Sequence, residues 1–95
     1  MKLGINGFGR IGRAILKINM EHNFFEVVGI NDIDNADNMA YLLEYDSTYG
    51  RCAESVSVSP GHLHVGSTQI RHTQEPDIEL VEWVDDVDVI IDATG

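Results

Sequence analysis

A glycine-rich loop between an apolar segment and an amphipathic one is the feature that most constrains this fold. Residues 2–6 are short, apolar and followed at once by glycine, which is typical of a buried strand. From Arg10 the apolar residues follow the helical period, and the helix should fray near residues 21–23. Its apolar face, which we expect to point inward, carries Ile11, Ala14, Ile15 and Ile18. Residues 7–12 join these two elements and match G-x-G-x-x-G, a pattern that in this context favours dinucleotide binding.

Each of the three positions in this loop needs glycine for a different mechanical reason. Gly7 allows the tight turn off the strand, Gly9 lets a pyrophosphate approach the backbone, and Gly12 lets helix and strand pack closely. The helix then offers unpaired N–H groups and the positive end of its dipole to the phosphates. The distribution of charge also favours a phosphate ligand at this loop. Residues 1–25 hold four basic and one acidic residue, whereas residues 26–95 hold two basic and fifteen acidic ones.

An acidic residue at the end of the second strand selects the cofactor. Residues 25–30 form this apolar strand, which ends at Asn31 and Asp32, twenty residues beyond Gly12. A carboxylate there accepts hydrogen bonds from the adenosine ribose hydroxyls. The phosphate of NADP would occupy the same place, and two unit charges about 4 Å apart repel by roughly 4 kcal/mol at an effective dielectric constant near 20. The sequence therefore predicts NAD as the cofactor.

The remaining pattern predicts an α/β, Rossmann-type dinucleotide-binding fold with an incomplete parallel sheet and a small antiparallel excursion. Asp37 or Asn38 caps a second helix that runs to about Tyr45. Its inward residues are expected to be Met39, Leu42 and Leu43, and a stripe of Tyr41, Tyr45 and Tyr49 is interpreted as packing. The later elements are strands over residues 55–59, 62–65 and 69–73, an acidic helical turn over 76–83 with Val81, Trp83 and Val84 beneath it, and a last strand over 87–93.

Composition excludes several classes of protein. A net charge of −10 argues against a nucleic-acid or membrane-surface partner, because both are polyanions. No apolar run approaches the roughly 20 residues of a membrane span, and the first ten residues lack the apolar region of a secretory signal. Cys52 is the single cysteine, so no internal disulfide is expected, which suits a reducing cytoplasm.

Two other candidate chemistries are weaker. No motif places a base beside Cys52, so it is not assigned as a nucleophile. His62, His64 and His72 fall in the predicted hairpin region, where metal binding is conceivable but surface histidines are more common. We therefore assign no catalytic residue and no metal ligand within this chain.

Four blocks of the sequence resemble the glyceraldehyde-3-phosphate dehydrogenases: residues 4–13, 29–32, 42–51 and 92–95. The third block is the most specific, because the generic dinucleotide pattern does not demand it. The resemblance implies that residues 1–95 form part of an N-terminal NAD(P)-binding domain, with the catalytic domain absent. The cofactor contacts that it implies come from Asn6, Gly7, Phe8, Gly9, Arg10, Ile11, Gly12, Asn31, Asp32, Thr94 and Gly95.

The resemblance also implies a function for the whole protein. Such enzymes are cytoplasmic homotetramers that oxidise a sugar-phosphate aldehyde to an acyl phosphate, using NAD and inorganic phosphate. Arg10 and Ile11 would hold the pyrophosphate through backbone groups, and Thr94 and Gly95 would approach the ribose beside the nicotinamide. The family's catalytic cysteine, in a Ser-Cys-Thr-Thr-Asn setting, and its catalytic histidine lie downstream of the residues present here.

Two departures from the family pattern, and one residue that agrees with it, bear on the alternatives. Cys52 stands where the family usually has an aromatic residue, and Pro76 stands where many members have an arginine beside the adenine. The related erythrose-4-phosphate dehydrogenases tend to carry glutamate at the position of Asp32, which favours the glyceraldehyde enzyme. The other readings are an erythrose-4-phosphate dehydrogenase segment, a free-standing NAD-binding module and a truncated partner subunit. We expect this chain to be a marginally stable, catalytically inactive fragment.

Overall fold

Six strands of one mixed sheet organise the computed structural model, which describes residues 1–45 and 55–94. The elements are β1 (Lys2–Asn6), α1 (Arg10–His22), β2 (Glu26–Asn31), α2 (Ala36–Tyr45), β3 (Val56–Ser59), β4 (His62–Val65), β5 (Thr68–Thr73), the 3₁₀ turns η1 (Ile78–Leu80) and η2 (Glu82–Asp86), and β6 (Val89–Asp92). The strand order is β3-β4-β5-β2-β1-β6. β6, β1, β2 and β5 are parallel, whereas β3 and β4 pair antiparallel. The predicted fold class and its antiparallel excursion are confirmed.

The boundaries of several elements differ from the prediction. Helix α2 begins at Ala36, and its capping side chain is Asn35, whose Oδ1 accepts the N–H of Asn38 at 2.7 Å. The acidic turn predicted over residues 76–83 consists instead of the separate 3₁₀ turns η1 and η2. The last strand is shorter than the predicted 87–93, because only Val89–Asp92 pairs with β1.

Helix α1 is rotated relative to the predicted apolar face. Of the predicted face, Ala14 is buried and Ile15 packs against the core, but Ile11 is 65% exposed and Ile18 is 44% exposed. The other buried residues of the helix are Gly12, Leu16 and Asn19. The reason lies at the start of the helix, where a Cβ on Gly12 would stand 2.4 Å from the carbonyl oxygen of Gly7. Close contact at Gly12 sets the rotation of the helix, and two large apolar residues are left outside.

The two faces of the sheet are covered differently. Leu16 of α1 and Met39 and Leu43 of α2 pack with strand residues in one buried cluster. On the other face Trp83 is fully buried against Gly4 and Gly29, where an added Cβ would stand 2.2 Å and 2.4 Å from the indole ring. These glycines make room for the indole, so the predicted burial of Trp83 is correct.

The tyrosine stripe was interpreted as packing, and its described members pack at the surface and not in the core. Tyr41 and Tyr45 are exposed and pack on each other, with ring centroids 5.0 Å apart. Tyr49 and Cys52 lie outside the described residues, as does most of the specific block 42–51. In residues 1–45 and 55–94, no helix combines the length and apolar character needed to cross a membrane.

Candidate functional site

A cleft of about 490 Å³ opens where the parallel strands β1, β2 and β6 end. The carboxyl edge of a parallel sheet is where open α/β folds bind their ligands. The lining comprises Asn6, Gly7, Gly9, Asn31, Asp32, Ile33, Glu75, Pro76, Ala93 and Thr94. Sequence-distant segments therefore converge on one site.

The glycine loop has the geometry that its sequence predicts. Gly7 has φ +97°, a left-handed conformation that favours glycine, and its N–H donates to the carbonyl of Asn31 at 2.7 Å. Gly12 lies against Gly7, as described above. Gly9 differs from both, since an added Cβ there would meet no atom of the described residues within 4 Å. The open space beside Gly9 is where a ligand can approach the backbone.

The first turn of α1 is left without a side-chain cap. Gly9 occupies the capping position and has no side chain to offer, and the first turn carries no acidic residue. The hydrogen bond from Arg13 N–H to the carbonyl of Gly9, at 3.0 Å, is the first of the helix. The N–H groups before it have no partner within the helix, so this end suits an anionic group.

Asp32 faces this loop with an oriented carboxylate. One of its oxygens accepts the N–H of Phe8 at 2.6 Å, and the other accepts the N–H of Asp34 at 2.9 Å. Each carboxylate oxygen has two lone-pair sites, so each can accept a further hydrogen bond. The arrangement leaves Asp32 able to receive two hydroxyl groups from within the cleft.

Asn31, at the end of β2, has its side chain bonded entirely within the protein. It is 3% exposed. Its Nδ2 donates to Asn6 Oδ1 at 3.0 Å and to the carbonyl of Glu75 at 2.8 Å. Its Oδ1 accepts the hydroxyl of Thr73 at 2.8 Å and the N–H of Glu75 at 2.9 Å. Asn31 thereby connects β1, β2 and the segment that follows β5.

At the far end of the cleft, Asp92 holds Thr94. The Asp92 carboxylate accepts the Thr94 hydroxyl at 2.7 Å and the Thr94 N–H at 3.2 Å. The hydroxyl bond, followed by the N–H bond, lowers the pKa of Asp92 below its usual value. Thr94 is thus fixed at the cleft by a carboxylate that stays ionised.

The predicted site residues separate into three groups. Those that line the cleft are Asn6, Gly7, Gly9, Asn31, Asp32 and Thr94. The Phe8 side chain is buried in the core, while Arg10, Ile11 and Gly12 form the first turn of α1. Gly95 lies outside the described residues.

Residue-level reasoning missed three lining residues and left Pro76 to the family resemblance. Ile33 is 74% exposed and Pro76 is also exposed, so both present apolar surface to the cleft. Glu75 and Ala93 complete the lining. The position of Glu75 just after β5 could have indicated that it lies at the cleft, because parallel strands end at the same edge of a sheet. The sequence pattern instead favoured an antiparallel arrangement for β5.

A second cleft, of about 550 Å³, lies between the β4–β5 hairpin and the 3₁₀ turns. Arg71 lines it and pairs with Glu82 at 2.9 Å and Asp86 at 3.6 Å. His72 also lines it, and burial lowers the pKa of this histidine below its usual value. Within the described part of the chain, no group of three His, Cys, Asp or Glu side chains could hold a metal ion.

Known proteins match this chain from end to end. A family described as "Glyceraldehyde 3-phosphate dehydrogenase, NAD binding domain" matches residues 1–95. The chain is 48% identical to glyceraldehyde-3-phosphate dehydrogenase A of Escherichia coli K12 and 47% identical to the cytosolic glyceraldehyde-3-phosphate dehydrogenase of Trypanosoma brucei brucei. Both alignments cover 100% of this chain and 29% of the relative. The family confirms NAD as the predicted cofactor. The chain therefore belongs to the NAD-binding domain family of the glyceraldehyde-3-phosphate dehydrogenases.

Proposed function

We propose that this chain is the cofactor-holding part of a phosphorylating glyceraldehyde-3-phosphate dehydrogenase, and that its cleft binds the adenosine and pyrophosphate portion of NAD. One observation carries the proposal. The oriented carboxylate of Asp32 faces an uncapped helix N-terminus across a single cleft. The first group suits ribose hydroxyls and the second suits phosphate oxygens, and a dinucleotide presents both.

The residues present fit this cofactor along its length. Asp32 accepts the ribose hydroxyls, and the N–H groups of Arg10 and Ile11 hold the pyrophosphate beside the open face of Gly9. Ile33 and Pro76 offer the apolar surface that an adenine ring requires. Thr94 lines the far end of the cleft, where it would approach the ribose beside the nicotinamide.

When bound, NAD supplies the acceptor for the hydride of the aldehyde. The whole protein would oxidise a sugar-phosphate aldehyde to an acyl phosphate with NAD and inorganic phosphate, as a cytoplasmic homotetramer. The nucleophilic cysteine and the histidine base that the family resemblance implies would lie downstream of the residues present here. This chain contributes the position and orientation of the cofactor.

Calorimetric titration with NAD and NADP tests the assignment. The native chain should prefer NAD by more than about tenfold, because a 2′-phosphate would lie against the Asp32 carboxylate. The variant Asp32→Asn should lose most of this preference. Asp34→Asn is the matched control, since Asp34 is exposed and its carboxylate bonds Asn35 and Asn38 outside the cleft lining. Equal affinities of the native chain for both cofactors would contradict the role of Asp32.

A further inference from the structure

We propose that Asn31 is a positioning residue that sets the affinity for the adenosine half of the cofactor by locking residues 75 and 76 in place. The proposal rests on the function proposed above. Residues 75 and 76 form a wall of the cleft. Asn31 acts through this wall, because two hydrogen bonds join its carboxamide to the backbone of Glu75. The carboxamide itself has no bonding capacity left for a ligand.

Every hydrogen-bonding position of the Asn31 carboxamide is occupied. A primary amide has two N–H donors and two acceptor lone pairs. In Asn31 both donors are used, on Asn6 and Glu75, and both lone pairs are used, by Thr73 and Glu75. The side chain is buried, so every one of these partners would be costly to leave unpaired.

The segment that forms the wall begins just beyond the end of the β2–β5 ladder. The ladder between β2 and β5 ends at the pair Asn31 and Thr73, followed by the bond from Asp32 N–H to the carbonyl of Thr73 at 2.9 Å. Beyond that point the chain leaves the sheet. Glu75 nevertheless bonds both its N–H and its carbonyl to the Asn31 carboxamide, which takes the place of the missing backbone amide of a neighbouring strand.

A second side-chain amide reinforces the same junction from outside. Gln74 Nε2 donates to the carbonyls of Ile33 and Asp34 at 3.2 Å and 3.1 Å. Gln74 is exposed, so these bonds compete with water and hold the segment less firmly than the buried amide. Asn31 is therefore the principal link between the end of β2 and the segment that carries Pro76.

The consequence is a preformed wall. Glu75 and Pro76 line the same cleft as Ile33, so the shape of this end depends on where the segment is held. A segment that must be ordered during binding costs affinity, and one that is already ordered does not. Release of residues 75 and 76 should lower the affinity for ligands that fill the adenosine end of the cleft. The affinity for ligands that reach only the helix N-terminus should not change.

The test measures adenosine monophosphate and inorganic pyrophosphate separately, by titrations that follow amide chemical shifts. The variant Asn31→Ala should lower the affinity for adenosine monophosphate by about tenfold, since two hydrogen bonds to the wall are lost. Pyrophosphate affinity should stay within about twofold. Unchanged adenosine monophosphate affinity, or equal losses for both ligands, would overturn the proposal.

Asn19→Ala is the matched control for a purely structural effect. Asn19 is also a buried asparagine, and its carboxamide accepts the backbone N–H of Phe25 and donates to the Phe25 carbonyl, both at 2.8 Å. Phe25 precedes β2, so these hydrogen bonds lie at the opposite end of the strands from the cleft. Asn19→Ala should lower the melting temperature without altering the affinity for either ligand.

Thr73→Val keeps the proposal testable if Asn31→Ala does not fold. This variant keeps the side-chain volume but removes the hydroxyl, which donates to the carboxamide and also accepts the Trp83 indole N–H at 3.3 Å. It should weaken adenosine monophosphate by about threefold relative to the exposed control Thr68→Val. No difference between these two variants would overturn the proposal. Failure of the native chain to bind adenosine monophosphate would instead overturn the proposed function.

Discussion

Among single residues, the three glycines of the loop perform three different physical tasks. Gly7 adopts a left-handed conformation, Gly12 allows the backbone of the helix to touch the loop, and Gly9 borders open space. The first two are structural requirements of the turn and its packing. Gly9 has no comparable requirement, because its φ of −79° suits any residue.

Substitution at Gly9 and Gly12 should therefore separate binding from stability. Gly9→Ala should change the free energy of unfolding by no more than about 0.5 kcal/mol and weaken NAD by more than about tenfold, because a methyl group would occupy the pyrophosphate approach. Gly12→Ala should cost about 1–3 kcal/mol of stability through the contact with Gly7. Urea denaturation and calorimetry measure the two effects. Native-like NAD affinity in Gly9→Ala would exclude close approach at this residue.

His72 makes stability depend on pH. It is buried, and its Nε2 has no hydrogen-bond partner among residues 1–45 and 55–94. Desolvation lowers its pKa below the usual value of about 6.5, while Asp32 and Asp34 oppose the shift. The unfolded chain then binds more protons than the folded chain at acidic pH. The stability is fully present above the unfolded pKa and is lost as the pH falls from about 6.5 towards the folded pKa.

Urea denaturation at a series of pH values from about 5 to about 8 measures this loss. His72→Gln should flatten the dependence below about pH 6.5, because no titrating group remains at the buried position. His22→Gln, at an exposed histidine of α1, should leave the curve unchanged. Parallel curves for the native chain and His72→Gln would exclude His72 as the source.

Of the elements, α1 shows how packing overrides a helical pattern. Of the four residues on the predicted apolar face, Ala14 is buried and Ile15 is partly buried, but Ile11 and Ile18 are exposed. The buried row of the helix also includes Gly12, Leu16 and Asn19. A polar residue replaces an apolar one in this row because its carboxamide bonds the backbone of Phe25. Periodicity predicts the existence of the helix but not the direction that it faces.

Truncations on the two faces should confirm this rotation. Leu16→Ala should cost about 2–5 kcal/mol of stability, because the leucine lies in the buried cluster. Ile11→Ala should cost no more than about 0.5 kcal/mol, because that side chain faces solvent. Urea denaturation of both variants provides the comparison. A larger loss for Ile11→Ala would support the face predicted from the sequence instead.

In the whole molecule, the sheet ends on a strand that has one neighbour. In the described sheet β6 pairs with β1 alone, and Val89 is exposed on it. An apolar edge strand with unpaired N–H and carbonyl groups is a template for association with another chain. The expected behaviour of the chain in solution is therefore self-association through β6.

A charge on this strand should oppose that association. Val89→Lys should reduce the aggregated fraction, because lysine on an edge strand is unfavourable for strand pairing between chains. Light scattering at increasing protein concentration gives the measurement, and circular dichroism verifies the fold. Thr68→Lys, at an exposed position away from β6, controls for the change in net charge. An equal effect of both variants would point to charge alone.

The sequence by itself determined the strand–loop–helix unit, the turn at Gly7, the close contact at Gly12, the place of Asp32 after the second strand, and the cofactor. These depend on local conformation and on spacing along the chain. The tertiary structure alone decided which face of α1 is buried, that Trp83 lies on Gly4 and Gly29, and that residues 75 and 76 meet the end of β2. Each of these is a contact between segments distant in sequence. Local periodicity carries no information about such contacts, because they depend on strand order and on close approach of backbones.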